Sequence, residues 1–225
     1  MKAIFFDAAG TLISVREPVG VTYARIANSH GISVSSDAVA HAFRTAWKSL
    51  PPPQHRGAPA PDDERAWWRE LVRRCFATAR GAELPPEKLD PLFNELYSHY
   101  ARHDAWTVFP DVVPAVSLLR EKHRLFVLSN FDKRLRRILE GHGLTPFFES
   151  IIISSEVGAS KPDARIFAAA AKTAGLAPRD CIHIGDDVYI DFEGARAAGF
   201  EAFLVHRPES GLDAIAREVM ARFVL

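Results

Sequence analysis

The order of apolar runs along the chain constrains its fold more than any other feature. One short run, Ala3-Ile4-Phe5-Phe6, stands at the start, and comparable runs return only beyond about residue 106, after a long helical stretch. From there short apolar runs alternate with helical patterns, which is typical of a parallel α/β sheet. Because one strand precedes the helical stretch, we expect that stretch to be an insertion into the sheet domain rather than an amino-terminal domain.

The inserted stretch carries four amphipathic helical patterns. Its predicted helices are Val19–Ala27, Ser36–Lys48, Asp62–Arg80 and Pro86–Ala101. Ser36 is the expected N-cap of the second helix, and the proline-rich residues 51–61 are expected to form a loop. These helices predict a small bundle. We expect residues 16–104 to form this helical domain, and residues 1–15 with 105–225 to form the α/β domain.

The second half of the chain supplies the remaining elements of the sheet domain. The predicted strands are Leu125–Leu128, Ser150–Ile153, Cys181–Ile184 and Glu201–Val205. The predicted helices are Val112–Lys122, Lys133–Glu140, Ala164–Ala174 and Asp191–Ala198. Together with the first apolar run they predict a Rossmann-like parallel sheet.

Polar residues follow successive strands of this predicted sheet. They are Asp7, the pair Ser129-Asn130, Lys161, the run Gly185-Asp186-Asp187, and Asp191. Ligands of open α/β sheets bind at the carboxyl ends of the strands, so these groups are expected at one edge. Each could alone cap a helix or a turn. Capping does not require a lysine or several carboxylates, however, so the set together favours a catalytic site.

Composition excludes several classes of protein. The 28 basic residues are balanced by 28 acidic ones, so no net positive charge would recruit nucleic acid or an anionic membrane. No apolar run approaches the roughly 20 residues of a membrane span, and no signal peptide is evident, so we expect a cytoplasmic protein. Cys75 and Cys181 fall in a predicted helix and a predicted strand, which favours buried free thiols.

These motifs resemble those of the haloacid dehalogenase (HAD) superfamily, over essentially the whole chain. The order of an Asp after the first strand, a Ser after the second, a Lys and an acidic Gly-Asp cluster is similar to the four motifs of that superfamily. The helical insertion resembles a type-1 cap of subfamily I. Several segments are similar to the rhythmically-expressed-gene-two-like group: Arg16–Gly20, Trp67-Trp68, Ser129–Leu135, Gly185–Asp187 and Asp191–Gly199.

The resemblance implies a role for each motif residue. Asp7 would be the nucleophile that forms an aspartyl-phosphate, and Mg²⁺ would bind Asp7, the main-chain carbonyl of Ala9, and Asp186. Ser129, the amide of Asn130, and the turn at Gly10 and Thr11 would hold the substrate phosphate, with Lys161 neutralising its charge. Asp187 and Asp191 would orient Lys161 and metal-bound water from outside the ligand set. The substrate would be a small phosphorylated metabolite, and the protein a monomer or a weak homodimer.

Position 9 departs from the pattern of the family's phosphatases. They usually carry a second Asp there as general acid and base, whereas this chain has Ala9. Three functions therefore remain open: a weakened Mg²⁺-dependent phosphatase, a 2-haloacid dehalogenase, and a non-catalytic binding protein. A dehalogenase pocket without metal would leave several carboxylates opposed by Lys161 alone, which favours the phosphatase.

The cap of this superfamily selects the substrate, which implies specificity residues in the insertion. Arg16, Tyr23 and Trp47 are candidate contacts, although aromatic stripes in a helical insert more often form its own core. The chain is expected to hinge near residues 13–17 and 102–107. His183, inside a predicted strand, is interpreted as a core histidine rather than a base.

Overall fold

The computed structural model describes residues 1–53, 55, 63–207 and 209–223, with only the backbone of Asp63. Within them the strands are β1 Ala3–Phe6, β2 Ile13–Val15, β3 Trp106–Val108, β4 Arg124–Ser129, β5 Ser150–Ile153, β6 Cys181–Gly185 and β7 Glu201–Leu204. The α-helices are α1 Val19–Ser29, α2 Ser36–Ser49, α3 Asp63–Arg80, α4 Pro86–His99, α5 Val112–Leu119, α6 Arg134–Gly141, α7 Ser154–Val157, α8 Ala164–Ala174, α9 Gly194–Ala197 and α10 Leu212–Arg222.

The chain divides into two compact units. The α/β unit comprises Met1–Ser14 and Thr107–Leu225, together with His55. The helical unit comprises Val15–Gln54 and Asp62–Trp106. The chain therefore leaves the α/β unit after its first strand and returns to it, as expected for an insertion. The predicted limits, after residue 15 and before residue 105, differ from these divisions by one and two residues, and His55, which was predicted in the helical domain, belongs to the α/β unit.

A five-stranded sheet forms the centre of the α/β unit, in the order β5-β4-β1-β6-β7. All neighbouring strands run parallel, and Phe5 of the central strand β1 lies opposite Phe126 of β4 and His183 of β6. The rings of Phe5 and Phe126 stack with their centroids 4.9 Å apart. Strand β1 is buried along its full length. Because β1 lies between β4 and β6 and runs parallel to both, its carboxyl end lies between theirs. The parallel α/β sheet is thus confirmed.

Several predicted helices of this unit are shorter than expected or change type. The helix predicted over Asp191–Ala198 is a π-helical segment, Val188–Glu193, that continues into α9. Helix α5 ends at Leu119 rather than at Lys122. Helix α8 begins where expected, because the side chain of Asp163 accepts a hydrogen bond from the amide of Arg165 and caps its first turn.

The helical unit has a hydrophobic core of its own. Its buried side chains come from the apolar stripes of α1 to α4, and Tyr23 of α1 stacks on Phe76 of α3 with ring centroids 6.2 Å apart. Ser36 was wrongly assigned as the N-cap of α2: the side chain of Ser35 accepts the hydrogen bond from Ala38 N instead. The loop predicted for residues 51–61 lies largely outside the described residues.

The three proposed substrate contacts of the helical unit have different surroundings. Tyr23 is only 3% exposed and belongs to the core, so it is a packing residue rather than a ligand contact. Trp47 is 50% exposed and packs edge-on against Trp67. Arg16 donates a hydrogen bond from Nη2 to the carbonyl of Trp106.

Two further features of the described residues concern the helices and the cysteines. None of the described helices combines the length and apolar character of a membrane span. Cys75 and Cys181 are both free and buried. Burial raises the pKa of the Cys75 thiol to about 12.

Candidate active site

Asp7 occupies the first position after the central strand. Its amide donates to the carbonyl of Ile184 at 2.9 Å, which ties the start of the loop to β6. The turn that follows requires glycine at position 10: φ is +101°, and a Cβ atom there would lie 2.3 Å from an oxygen of the Asp186 carboxylate. This close approach brings the end of β1 against the loop after β6.

Lys161 joins two buried carboxylates. Its Nζ donates to Oδ1 of Asp7 at 2.7 Å and to Oδ1 of Asp191 at 2.5 Å. The side chain of Asn130 fixes the lysine main chain, because its Oδ1 accepts from Lys161 N at 2.7 Å and its Nδ2 donates to Lys161 O at 2.9 Å. Asn130 therefore has a positioning role that its sequence position alone did not reveal.

Both carboxylate oxygens of Asp191 have hydrogen-bond partners. Besides Lys161, the ring Nε2 of His183 lies 2.9 Å from its Oδ1, and the amide of Asp187 donates to its Oδ2 at 3.1 Å. Gly185 makes room for it, since a Cβ atom there would lie 2.3 Å from the Asp191 carboxyl carbon. His183 is fully buried inside β6. It is therefore an interior histidine whose ring also anchors the acidic cluster.

Thr11 connects the first loop to Asp186. Its hydroxyl donates to Oδ1 of Asp186 at 3.1 Å, and the threonine is fully buried. The predicted phosphate-binding residue thus contacts a predicted metal ligand. The hydroxyl is committed to that carboxylate in this structure.

The remaining predicted site residues lie around this cluster. Ser129 is buried at the end of β4, and Ala9, two residues after Asp7, is exposed. The carboxylate of Asp187 accepts hydrogen bonds from the amides of Tyr189 and Ile190, at 2.8 and 2.7 Å. It caps the π-helical segment, and its main chain rather than its carboxylate contacts Asp191.

Burial and neighbouring charges shift the pKa values of the three carboxyl groups, upward for Asp7 and Asp186 and downward for Asp191. Burial, reinforced by Asp191 and Asp186, raises the pKa of Asp7 to about 6 despite the opposing ammonium of Lys161. Burial and the charge of Asp191 also raise the pKa of Asp186. Burial would raise the pKa of Asp191 as well, but Lys161 and His183 hold it below its ordinary value.

The donor set fits a hard divalent cation. Oxygen atoms of Asp7, Asp186 and Asp191 lie within 4.8 Å of one another, and Lys161 is the one cation that contacts them among the described residues. When ionised, the three carboxylates leave two surplus negative charges beside Lys161, and the charges of Asp191 and Asp186 add to the effect of burial in raising the pKa of Asp7. Carboxylate oxygens suit Mg²⁺. Both carboxylate oxygens of Asp191 already have hydrogen-bond partners, Lys161 and His183 at Oδ1 and the amide of Asp187 at Oδ2, so Asp7 and Asp186 are the candidate carboxylate ligands.

Comparison with known proteins gives the family. A family model described as a haloacid dehalogenase-like hydrolase matches residues 1–199. The chain belongs to the haloacid dehalogenase-like hydrolases. The haloacid dehalogenase-like hydrolase domain-containing protein 3 of Bos taurus is 35% identical over 214 residues, covering 93% of this chain and 83% of that protein. The Rhythmically expressed gene 2 protein of Drosophila melanogaster is 32% identical, covering 91% and 83%. The chain therefore falls in the rhythmically-expressed-gene-two-like group of HAD proteins.

Solved structures share the HAD fold without deciding between activities. The defluorinating L-2-haloacid dehalogenase Rha0230 superposes with a TM-score of 0.73 at 19% identity, covering 97% of this chain and 94% of that one. YfnB from Bacillus subtilis, described as a HAD-hydrolase bound to magnesium, gives 0.72 at 18% identity, covering 97% and 98%. At these identities the likeness concerns the fold alone. The family makes the chain a hydrolase in kind, and its substrate has to be argued from the site.

Two site residues were missed by sequence reasoning. Arg207 donates from Nη2 to the carbonyl of Thr11 at 2.9 Å, and its Nη1 donates to Asp111 Oδ2 at 3.1 Å. Arg207 follows β7 and Asp111 follows β3, but neither belongs to a motif that the sequence analysis recognised, so only the folded chain shows that they lie beside the first loop.

Proposed function

We propose that this HAD hydrolase is a Mg²⁺-dependent phosphatase that acts on a small phosphorylated metabolite through an aspartyl-phosphate on Asp7. The observation that carries this proposal is the excess of carboxylate over ammonium around Lys161. A divalent cation would remove that excess, whereas a metal-free dehalogenase would have to keep it. Asp7 and Asp186 would hold the cation, with the main-chain carbonyl of Ala9 as a third ligand. The cation would neutralise charge on the phosphate oxygens as the transfer proceeds.

The chain's own residues account for the two half-reactions. The carboxylate of Asp7 attacks phosphorus, an acyl-phosphate bond forms, and the bond to the leaving oxygen breaks. Lys161, fixed by Asn130, keeps the nucleophile ionised and offsets charge on the transferring group. Water then attacks the phosphorus of the acyl-phosphate, the bond between phosphorus and the Asp7 oxygen breaks, and inorganic phosphate leaves with the Asp7 carboxylate restored. The proton of the water passes to the phosphate or to solvent, because Ala9 cannot accept it. Ser129 at the end of β4 and the amide of Asn130 are the proposed phosphate contacts.

Ala9 limits the substrates that can be turned over quickly. A methyl group can neither protonate a leaving alkoxide nor deprotonate the attacking water. Such a proton-transfer group is worth roughly 10²- to 10⁴-fold in rate. Aryl and acyl phosphates, whose leaving groups need no proton, are therefore the favoured substrates.

The test compares the natural protein with Ala9→Asp and Ala9→Asn, on an aryl phosphate and an alkyl phosphate with Mg²⁺. Ala9 is exposed, so either side chain fits without repacking the core. Ala9→Asp should raise kcat by about 10²-fold or more on the alkyl ester and less on the aryl ester. Ala9→Asn has nearly the same shape but transfers no proton, so it should give no gain.

Asp7→Asn separates the three functions. Under the proposal it abolishes phosphate release from both esters. If a trace of phosphate release survives in Asp7→Asn and Ala9→Asp gives no gain, that release does not depend on Asp7, and the protein would be a non-catalytic relative. Release of chloride from 2-chloropropionate without metal, lost in Asp7→Asn, would identify a dehalogenase and overturn the proposal.

A further inference from the structure

Arg207 contacts two other segments of the α/β unit, the first loop at Thr11 and the segment that contains Phe109 and Asp111. Its guanidinium carbon lies 3.7 Å from the centroid of the Phe109 ring. Its Nη1 donates to Oδ2 of Asp111, and its Nη2 donates to the main-chain carbonyl of Thr11 at 2.9 Å. A planar guanidinium can stack and donate in two directions at once, which a lysine ammonium cannot do.

Arg207 and Asp111 form a partly buried ion pair. The side chains of Arg207 and Asp111 are only 18% and 16% exposed, and Nε of Arg207 is buried without a hydrogen-bond partner among the described atoms. Asp111 Oδ2 also accepts from the amide of Leu212 at 2.6 Å, and a Cβ atom on Gly211 would lie 2.3 Å from that oxygen. Such a pair costs desolvation, so its stabilising value alone is a weak reason for it.

A short chain of contacts leads from Arg207 to the acidic cluster. Arg207 holds the carbonyl of Thr11, and the hydroxyl of the same threonine donates to Oδ1 of Asp186 at 3.1 Å. Thr11 is fully buried, so its hydroxyl cannot turn to solvent instead of to Asp186. A residue that fixes the main chain of Thr11 therefore also fixes the direction from which its hydroxyl meets Asp186.

We propose that Arg207 is a positioning residue for Asp186, acting through Thr11, and that the affinity of the site for a divalent cation depends on it. This inference rests on the metal site of the proposed function. Removal of a group that orients a metal ligand without contacting the metal typically lowers metal affinity by about 10- to 100-fold. Arg207 contacts neither the proposed cation nor the nucleophile.

The test measures Mg²⁺ binding by calorimetry in the folded natural protein and in Arg207→Met. We expect the dissociation constant to rise about tenfold or more in Arg207→Met, and by less in Arg207→Lys. Arg222→Met is the matched control, because Arg222 on α10 also pairs with acids and lies over a phenylalanine ring, but outside this chain of contacts. It should leave the dissociation constant unchanged. In phosphatase assays, the Mg²⁺ concentration at half-maximal rate should rise more than kcat at saturating Mg²⁺ falls.

A double-mutant comparison tests the route through Thr11. Thr11→Val removes the hydroxyl donor and should weaken Mg²⁺ binding by itself. If Arg207 acts through that hydroxyl, the variant with both changes should bind Mg²⁺ about as weakly as Thr11→Val alone. Fully additive losses would overturn the inference, as would a folded Arg207→Met variant that binds Mg²⁺ like the natural protein.

Two further outcomes have distinct meanings. If Arg207→Met does not fold, Asp111→Asn weakens the ion pair with a smaller change, and normal Mg²⁺ binding in that variant would overturn the inference. If the natural protein itself binds no Mg²⁺, the metal site of the proposed function fails before Arg207 is tested. The two failures are therefore distinguishable.

Discussion

Burial, together with neighbouring charges of both signs, sets the pKa of Asp7. Lys161 favours the carboxylate, whereas burial and the charges of Asp191 and Asp186 favour the protonated acid, and the acid-favouring influences are the stronger. The same lysine is shared with Asp191, so it cannot compensate either carboxylate completely. A nucleophile with its pKa near 6 is mostly ionised at neutral pH but loses its charge under mildly acidic conditions.

This balance predicts a pH dependence of metal binding. Below about pH 6 Asp7 carries a proton, so Mg²⁺ must displace it and the apparent affinity should fall as the pH is lowered from 7 to 5. The raised pKa of Asp186 acts in the same direction. Calorimetric titrations at pH 5, 6, 7 and 8 would measure the effect. Asp7→Asn should bind more weakly at pH 7 with a shallower dependence, and a flat profile for the natural protein would contradict the pKa assigned to Asp7.

Elements with a clear apolar period were predictable, whereas very short or packing-dependent ones were not. Strand β5 and helix α8 have the predicted bounds, because apolar residues with the right period are flanked by turn or capping residues. Strands β2 and β3 have three residues each, too few to show a period. No prediction covered α10.

The residues of the candidate site likewise divide into those that a local sequence pattern predicted and those that depend on tertiary packing. The rule that ligands meet strand ends predicted that Asp7, Lys161, Asp186 and Asp191 would come together, and the structure brings them together. Asn130 as an anchor of Lys161, and Arg207 as a partner of Thr11, depend on tertiary packing across 31 and 196 residues of sequence. No local pattern encodes such contacts.

The N-cap of α2 offers a matched test at the scale of one element. Ser35→Ala removes the side-chain oxygen that accepts from Ala38 N and should lower the free energy of unfolding by about 1 kcal/mol. Ser36→Ala, inside the first turn, should change it by less than about 0.5 kcal/mol. Denaturant unfolding of both variants measures the difference. Equal effects would show that the cap assignment to Ser35 is wrong.

Each of the two units has its own buried core. In the helical unit Phe76 is fully buried among side chains of α1 to α4, and in the α/β unit Phe126 is buried between β1 and the helices that cover it. The two clusters share no residues. Stability is therefore expected to differ from unit to unit, as it does between the cooperative parts of many proteins.

Hydrogen exchange can test this independence. Phe76→Ala should cost about 3–5 kcal/mol in the core of the helical unit and reduce amide protection in α1 to α4, while β1, β4 and β6 keep theirs. Phe126→Ala should give the reverse pattern. An equal loss of protection in both units from either substitution would show that they unfold as one.

The central position of β1 has a consequence for biosynthesis. The strand is translated before the insertion, yet its partners begin beyond the insertion, at Arg124 and Cys181. The four consecutive apolar residues of β1 therefore remain unpaired while the insertion is translated, and during that time its helices can already form and pack. The inserted helices can thus assemble before the sheet that surrounds them, and Asp7 reaches its place in the acidic cluster only after β6 and the loop that follows it have been translated.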